Sequence, residues 1–173
     1  MTFQHQQVLS LEGYCIAHIP NSIKDLKLLR YINLSRTLIE SLPESISSLF
    51  NLQFLLLRTC HRLQKLPSNM RNLLNLHHLD IGGSFITEMP SGMNRLKFLQ
   101  TLSDFIVGRG IGSGLKDLKN LTFLCGKLCI SRLENANDSW DAREASLCDK
   151  KGLEELSLGW GSPFHSKNEV LKK

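Results

Sequence analysis

Residues Leu29 to Leu49 read LRYINLSRTLIESLPESISSL, with apolar side chains at Leu29, Ile32, Leu34, Ile39, Leu42, Ile46 and Leu49. The same frame recurs 23 residues earlier as Leu9, Leu11, Ile16, Ile19, Ile23 and Leu26, with Gln6 where a leucine belongs. It recurs downstream as Leu52, Leu55, Leu57, Leu63, Leu66, Met70 and Leu73, after one extra residue near Arg62, and again from Leu76 to Leu96. Pro20, Pro43, Pro67 and Pro90 mark the copies at intervals of 23, 24 and 23 residues. Such a period is the signature of stacked coils. The paired apolar positions two residues apart put both side chains on one face of a short strand. Proline fixes φ and donates no backbone hydrogen bond, so it keeps the return segment extended, and the following IxxL turns the chain back under the strand. A set of amphipathic helices would carry an internal proline in every copy, at about 3 kcal/mol each. The frame therefore predicts an α/β solenoid. Its strands run parallel on a concave side, and short helical or irregular segments form the convex side. One coil cannot bury its own apolar face, but stacked neighbours can.

The consensus LxxLxLxxxxxIxxLPxxIxxL resembles a leucine-rich repeat of the short intracellular type. It predicts regular repeats over residues 1–103. After Leu99 the rhythm fails, because Asp104 stands where the next leucine belongs and the apolar run Phe105-Ile106-Val107 follows. GRGIGSG, with Gly108, Gly110, Gly112 and Gly114, reads as part of an irregular connection over 104–120. It lacks the GxGxxG spacing, and no Gly-Lys-Ser/Thr follows, so it is not read as a phosphate cradle. Irregular repeats are expected over 121–160. There NDSWDAREASLCDKKG reads as a convex helix capped by Asn137 or Asp138, with Ala142, Ala145 and Cys148 inward. The polar tail 161–173 is expected to be disordered.

The chain has 173 residues and a net charge of +5, with basic and acidic residues mixed along it. This reads as a solvated surface, and no nucleic-acid partner is expected. No apolar run reaches about 18 residues, so nothing is expected to span a bilayer and no membrane partner is assigned. The five cysteines, Cys15, Cys60, Cys125, Cys129 and Cys148, form no disulfide framework. Cys125 and Cys129 form CxxxC and lack further zinc ligands nearby. A reducing, cytoplasmic location is expected. Adjacent His77 and His78 are expected on opposite faces of a strand, which argues against a paired metal site. No Gly-x-Ser-x-Gly elbow or HExxH is present, so no catalytic residue is assigned.

A narrower resemblance covers roughly Val8 to Trp160. LRYINLSRTLIESLPESISSLFNLQFLLLRTC, HLDIGGSFITEMPSGMNRLKFLQTLSDFIVG and GKLCISRLENANDSWDAREASLCDKKGLEELSLGW look like the repeat region of plant nucleotide-binding leucine-rich-repeat disease resistance proteins of the coiled-coil class. The resemblance implies a protein-interaction module of an intracellular immune receptor, serving recognition and autoinhibition in defence. Its implied partner is a pathogen effector, a host protein or the receptor's own nucleotide-binding module. ADP or ATP is implied for the complete family architecture alone. No GxxxxGK[ST] loop occurs here, so no cofactor is assigned to this chain. With polar Gln6 opening the first copy and a short polar tail closing the last, the sequence reads as a fragment or a truncated product. A regulatory or decoy fragment engaging a full-length receptor is the alternative.

Strand residues beside the buried leucines would form the concave face. Tyr31, Asn33, Phe54, Leu56, Arg58, His78 and Asp80 are the candidate partner-binding residues. Tyr31, Phe54 and His78 would align laterally as an aromatic stripe flanked by Arg58 and Asp80, which suits a protein-contact hot spot. The rings could instead cover one another, or meet another part of a parent receptor.

Overall fold

The computed structural model describes residues 6–110, 113–136, 139–161 and 168–172. The proposed caps Asn137 and Asp138 lie outside the described residues. Five short strands, β1 (Val8–Ser10), β2 (Tyr31–Asn33), β3 (Phe54–Leu56), β4 (His78–Asp80) and β5 (Thr101–Leu102), pair in sequence order as one parallel sheet. Each starts a coil that passes through an extended segment and a 3-10 turn before the next strand. The architecture is a leucine-rich-repeat solenoid, as the period predicts.

The sequence frame accounts for the parts of a coil. Ile32, Leu34, Ile39, Ile46 and Leu49 are fully buried, as are their counterparts Leu55, Leu57, Leu63, Met70 and Leu73. Pro20 and Pro43 sit at φ −71° and −67° in extended conformation, ahead of the 3-10 turns Asn21–Asp25 and Glu44–Ser48. Their carbonyls accept from the N–H of Ile23 and Ile46, which begins the turn. After each strand the chain leaves through a left-handed residue: Gly13, Arg36, Thr59 and Gly83, at φ 76°, 60°, 59° and 72°. Glycine adopts that conformation freely at Gly83. Arg36 and Thr59 are held there by the coil, with N–H bonds to the carbonyls of Arg58 and Gly82.

Small polar side chains close the interior of this exit. Thr37 Oγ1 donates to the Leu34 carbonyl at 2.7 Å, and Ser84 Oγ donates to that of Leu57 at 2.5 Å. Cys60 Sγ lies 3.1 Å from the Leu34 carbonyl, and the Cys60 N–H donates to Ser84 Oγ at 3.0 Å. The convex edge is stapled by carboxylates. Glu44 accepts from Ser68 N–H at 2.8 Å, Asp117 from Gly92 N–H at 3.2 Å, and Asp141 from Lys116 N–H at 2.9 Å and Leu115 N–H at 3.1 Å. Gly114 is required beside Asp141, because a Cβ there would stand 2.8 Å from its carboxylate.

The second half departs from the expected boundaries. A second sheet holds β6 (Asp104–Ile106), β7 (Cys125–Ser131), β8 (Gly152–Gly159) and β9 (Asn168–Lys172) in that order. The stretch read as an irregular connection thus contains a strand, and also a 3-10 turn at Leu115–Leu118. The cause is a one-residue slip at Ser103. It lets Phe105 and Val107, both fully buried, take the inward positions that Asp104 would have spoiled. The tail read as disordered contributes β9, which pairs antiparallel with β8. The convex helix is shorter than expected. α1 (Ser139–Glu144) ends before Ser146, which stands at φ 49°. That break changes the phase, so Ala145 is buried while Ala142 and Cys148 are exposed. Asp141 and Lys150 fill inward places, and Lys150 Nζ donates to the Leu118 carbonyl at 2.7 Å.

Ser84→Ala would leave the Leu57 carbonyl and the Cys60 N–H without their partner inside the stack. The expected loss is about 1–3 kcal/mol of stability, read from urea unfolding against the parent chain. An unchanged midpoint would show that the exit hydroxyls are dispensable.

Candidate functional site

Parallel register carries equivalent residues of successive coils into rows across the concave sheet. Tyr31 pairs with Phe54, and Phe54 with His78. The Tyr31 and Phe54 rings lie 5.7 Å apart at 42°, and Phe54 stacks on His78 at 4.3 Å and 12°. His78 Nδ1 reaches Thr101 Oγ1 at 2.9 Å, which fixes the end of the row. The aromatic stripe is therefore a laterally aligned row, tilted between Tyr31 and Phe54 and stacked between Phe54 and His78, whose members partly cover one another. Burial, and then the neighbouring His77, hold the His78 imidazole below its ordinary value, so its neutral form is favoured. His77 and His78 do not diverge as strand alternation implies: their ring centroids are 6.4 Å apart. His77 precedes β4, and in Leu76-x-x-Leu79 both intervening side chains point outward; His77 stacks on Phe98 at 6.2 Å.

Asn33, Leu56 and Asp80 share the next row, and Asp80 belongs to a charged cluster. Arg58 Nη1 lies 3.5 Å from Asp80 Oδ2 in a largely exposed pair, which contributes little stability. Asp104 completes the cluster. A Cβ on Gly82 would stand 3.2 Å from Asp80, 3.4 Å from Arg58 and 3.6 Å from Asp104, so the three side chains converge over that glycine. Burial raises the Asp104 carboxyl above its ordinary value. The Asp80 charge adds to this, while Ser103, Arg58 and Cys129 oppose it. Burial and the Asp104 charge push the Cys129 thiol up to about 11, so it stays protonated at neutral pH. Asp104 was absent from the sequence candidates. Its signal was there, in a polar residue followed by an apolar run displaced by one position.

Asn33 plays a different part from the other candidates. Its side chain is buried, donating to Glu12 at 2.9 Å and accepting from Ser35 N–H at 3.0 Å. It positions Glu12 instead of presenting its own amide. Leu56 lies beside it, half-buried, and helps line a depression of about 400 Å³ with Glu12, Tyr31, Ser35, Arg58 and Asp80. No group of three or more His, Cys, Asp or Glu arranged for a metal ion occurs among the described residues. What the surface offers is a row of rings beside a compact charged cluster, on a scaffold that fixes their spacing.

A family model described as leucine-rich repeat region matches residues 1–172. The disease resistance protein At3g14460 of Arabidopsis thaliana is 46% identical over 161 residues, covering 91% of this chain and 11% of that protein. The disease resistance protein RGA4 of Solanum bulbocastanum is 40% identical over 181 residues, covering 91% of this chain and 18% of that one. The chain thus spans less than a fifth of either relative. A solved leucine-rich-repeat protein of Leptospira interrogans superposes with a TM-score of 0.67 at 22% identity, over 90% of this chain and 39% of that chain, and shares the fold.

The folded chain holds the Asp104 proton more tightly than the unfolded chain does. Ionisation therefore costs stability as pH rises from the ordinary value of 3.8 through the raised folded value, and the cost is complete above it. Asp104→Asn is expected to be more stable than the parent at pH 7, with the gain disappearing by about pH 3, where both carboxyls are protonated. Urea unfolding at the two pH values checks this; a gain that ignores pH would contradict it.

Proposed function

The chain belongs to the leucine-rich repeat region family, and from that premise we propose that it is the protein-recognition module of a plant intracellular immune receptor. Its relatives named as disease resistance proteins support a role in defence. The observation that carries the reading is the concave row of Tyr31, Phe54 and His78, beside the cluster of Arg58, Asp80 and Asp104 that converges over Gly82. Pre-stacked rings lose little freedom on binding, and a bordering charged cluster excludes wrong partners by sign. The partner is a pathogen effector, a host protein or the nucleotide-binding module of a receptor. In the last case the contact is autoinhibitory. The chain acts as a scaffold and not as a catalyst, in the cytoplasm. Any ADP or ATP exchange belongs to another module.

The chain carrying Tyr31→Ala and Phe54→Ala tests this. Loss of two hot-spot rings is expected to weaken capture of a cognate effector or receptor module by at least about 30-fold. Far-UV circular dichroism and the unfolding midpoint should stay near those of the parent. Undiminished capture, or tight ADP binding by the 173-residue chain itself, would refute the reading.

The alternative reading is a regulatory or decoy fragment that engages a full-length receptor. Under that reading the chain associates with itself or with a receptor's repeats in a concentration-dependent way, seen by sedimentation. Leu9→Glu abolishes the association; its persistence in the variant would exclude this route.

A further inference from the structure

Every regular coil reaches its strand through the same tight turn. The N–H of Leu29 donates to the Leu26 carbonyl, Leu52 to Leu49, Leu76 to Leu73, Leu99 to Leu96 and Leu124 to Leu121. The two residues inside each turn lie on the rim of the solenoid, which meets the concave row at Phe98, stacked on His77 at 6.2 Å. In each turn one of the two is a large exposed hydrophobe: Leu28, Phe50, Leu74, Phe98 or Phe123, between 41% and 60% exposed. Around them, on the turns and the 3-10 segments before them, stand the exposed cations Lys24, Lys27, Arg71, Arg95, Lys97 and Lys119. Lys27 Nζ lies 6.0 Å from the Phe50 ring, and Lys119 pairs with Glu144 at 3.1 Å. Of the acids in the same segments, Glu44 and Asp117 accept from neighbouring N–H groups, and Asp25 is exposed beside Lys24, which leaves the cations in excess.

We infer that this rim is a peripheral docking surface for an anionic phospholipid bilayer. The charge calls for an anionic partner, and the polar groups narrow the choice. Asn51 Nδ2 donates to the Lys27 carbonyl at 2.9 Å, and Asn75 Nδ2 to the Phe50 carbonyl at 2.8 Å. These bonds tie turn to turn and occupy part of each amide, although both residues are exposed. The rim thus offers hydrocarbon and ammonium or guanidinium groups, with Asn51 and Asn75 already bonded to neighbouring turns. The large apolar side chains come one per coil, with Phe98 among them stacked on a ring of the neighbouring coil, His77. A protein hot spot packs its anchors into one desolvated cluster, whereas lipid flows around each tooth of a comb. Anionic headgroups attract clustered Lys and Arg, and the acyl boundary takes up Phe and Leu. The missing bilayer-spanning run, on which the expectation of no membrane partner rested, concerns insertion through a membrane and leaves surface docking untouched.

The whole chain is tested by cosedimentation with vesicles of phosphatidylcholine alone and of phosphatidylcholine with phosphatidylserine. It is expected to bind the second kind, and less so as salt is raised. Replacing the three rings together (Phe50→Ser, Phe98→Ser, Phe123→Ser) is expected to reduce binding by at least about tenfold, with the circular dichroism unchanged. Lys27→Glu with Lys97→Glu should do the same. The concave variant Tyr31→Ala, Phe54→Ala should bind vesicles like the parent, which separates this rim from the recognition face. Three outcomes overturn the inference: equal or absent binding to both vesicle types, full binding by the triple-ring variant, or capture by soluble polyglutamate with neither vesicle bound.

Discussion

The backbone at the exit of each strand sets the conditions for everything else in the solenoid. There the chain turns inward with its N–H and C=O groups inside a stack of leucines, where no water can serve them. An unpaired group in such a place costs far more than a made bond returns. Thr37, Cys60 and Ser84 meet the need with the smallest side chains that carry a polar atom, and they do so across coils as well as within them. A coil alone would leave part of this set unpaired. The stack is cooperative for that reason, in addition to its need to bury leucine.

Pinning the inner edge also fixes the concave surface. The same lateral bonds that join the exits keep β2, β3 and β4 in register, and register decides which outward side chains meet. The Phe54–His78 stack and the convergence of Arg58, Asp80 and Asp104 are consequences of that alignment. At the outer edge, Glu44, Asp117 and Asp141 hold the N–H groups of adjacent 3-10 turns, one coil to the next. The concave face therefore rests on a layer tied at both margins, which would lower the ordering cost of the proposed binding.

The regular half was legible in the sequence because its period is strict. Leucines at fixed spacing leave one way to bury them, and the aromatic row followed from the same count. The irregular half was legible as repeats but not in detail. At Ser103 a local slip moves the inward phase by one residue, and that depends on whether Phe105 packs better than a leucine at 104. At Ser146 a left-handed residue ends a helix whose apolar spacing alone would have continued to Cys148. The tail strand β9 was hidden for a different reason: its pairing is to the backbone of β8, which composition does not report. Asn33 looked like a contact residue because it occupies a concave position. Its burial follows from Glu12 and Ser35, which lie on two different coils.

Charge gives the sharpest contrast between chain and fold. Along the sequence, lysine, arginine and acids alternate and read as an ordinary solvated surface. In the solenoid the period sorts them. Positions before the strand fall on one rim, where Lys27, Arg71, Arg95 and Lys97 gather. Positions within and after the strand fall on the concave face, where Glu12, Asp80 and Asp104 sit near Arg58. One angular coordinate per residue thus turns a mixed sequence into two surfaces of different chemistry. A substitution at one surface leaves the buried frame intact, so the two faces are free to diverge in chemistry, whereas the leucines and small polar residues between them are not.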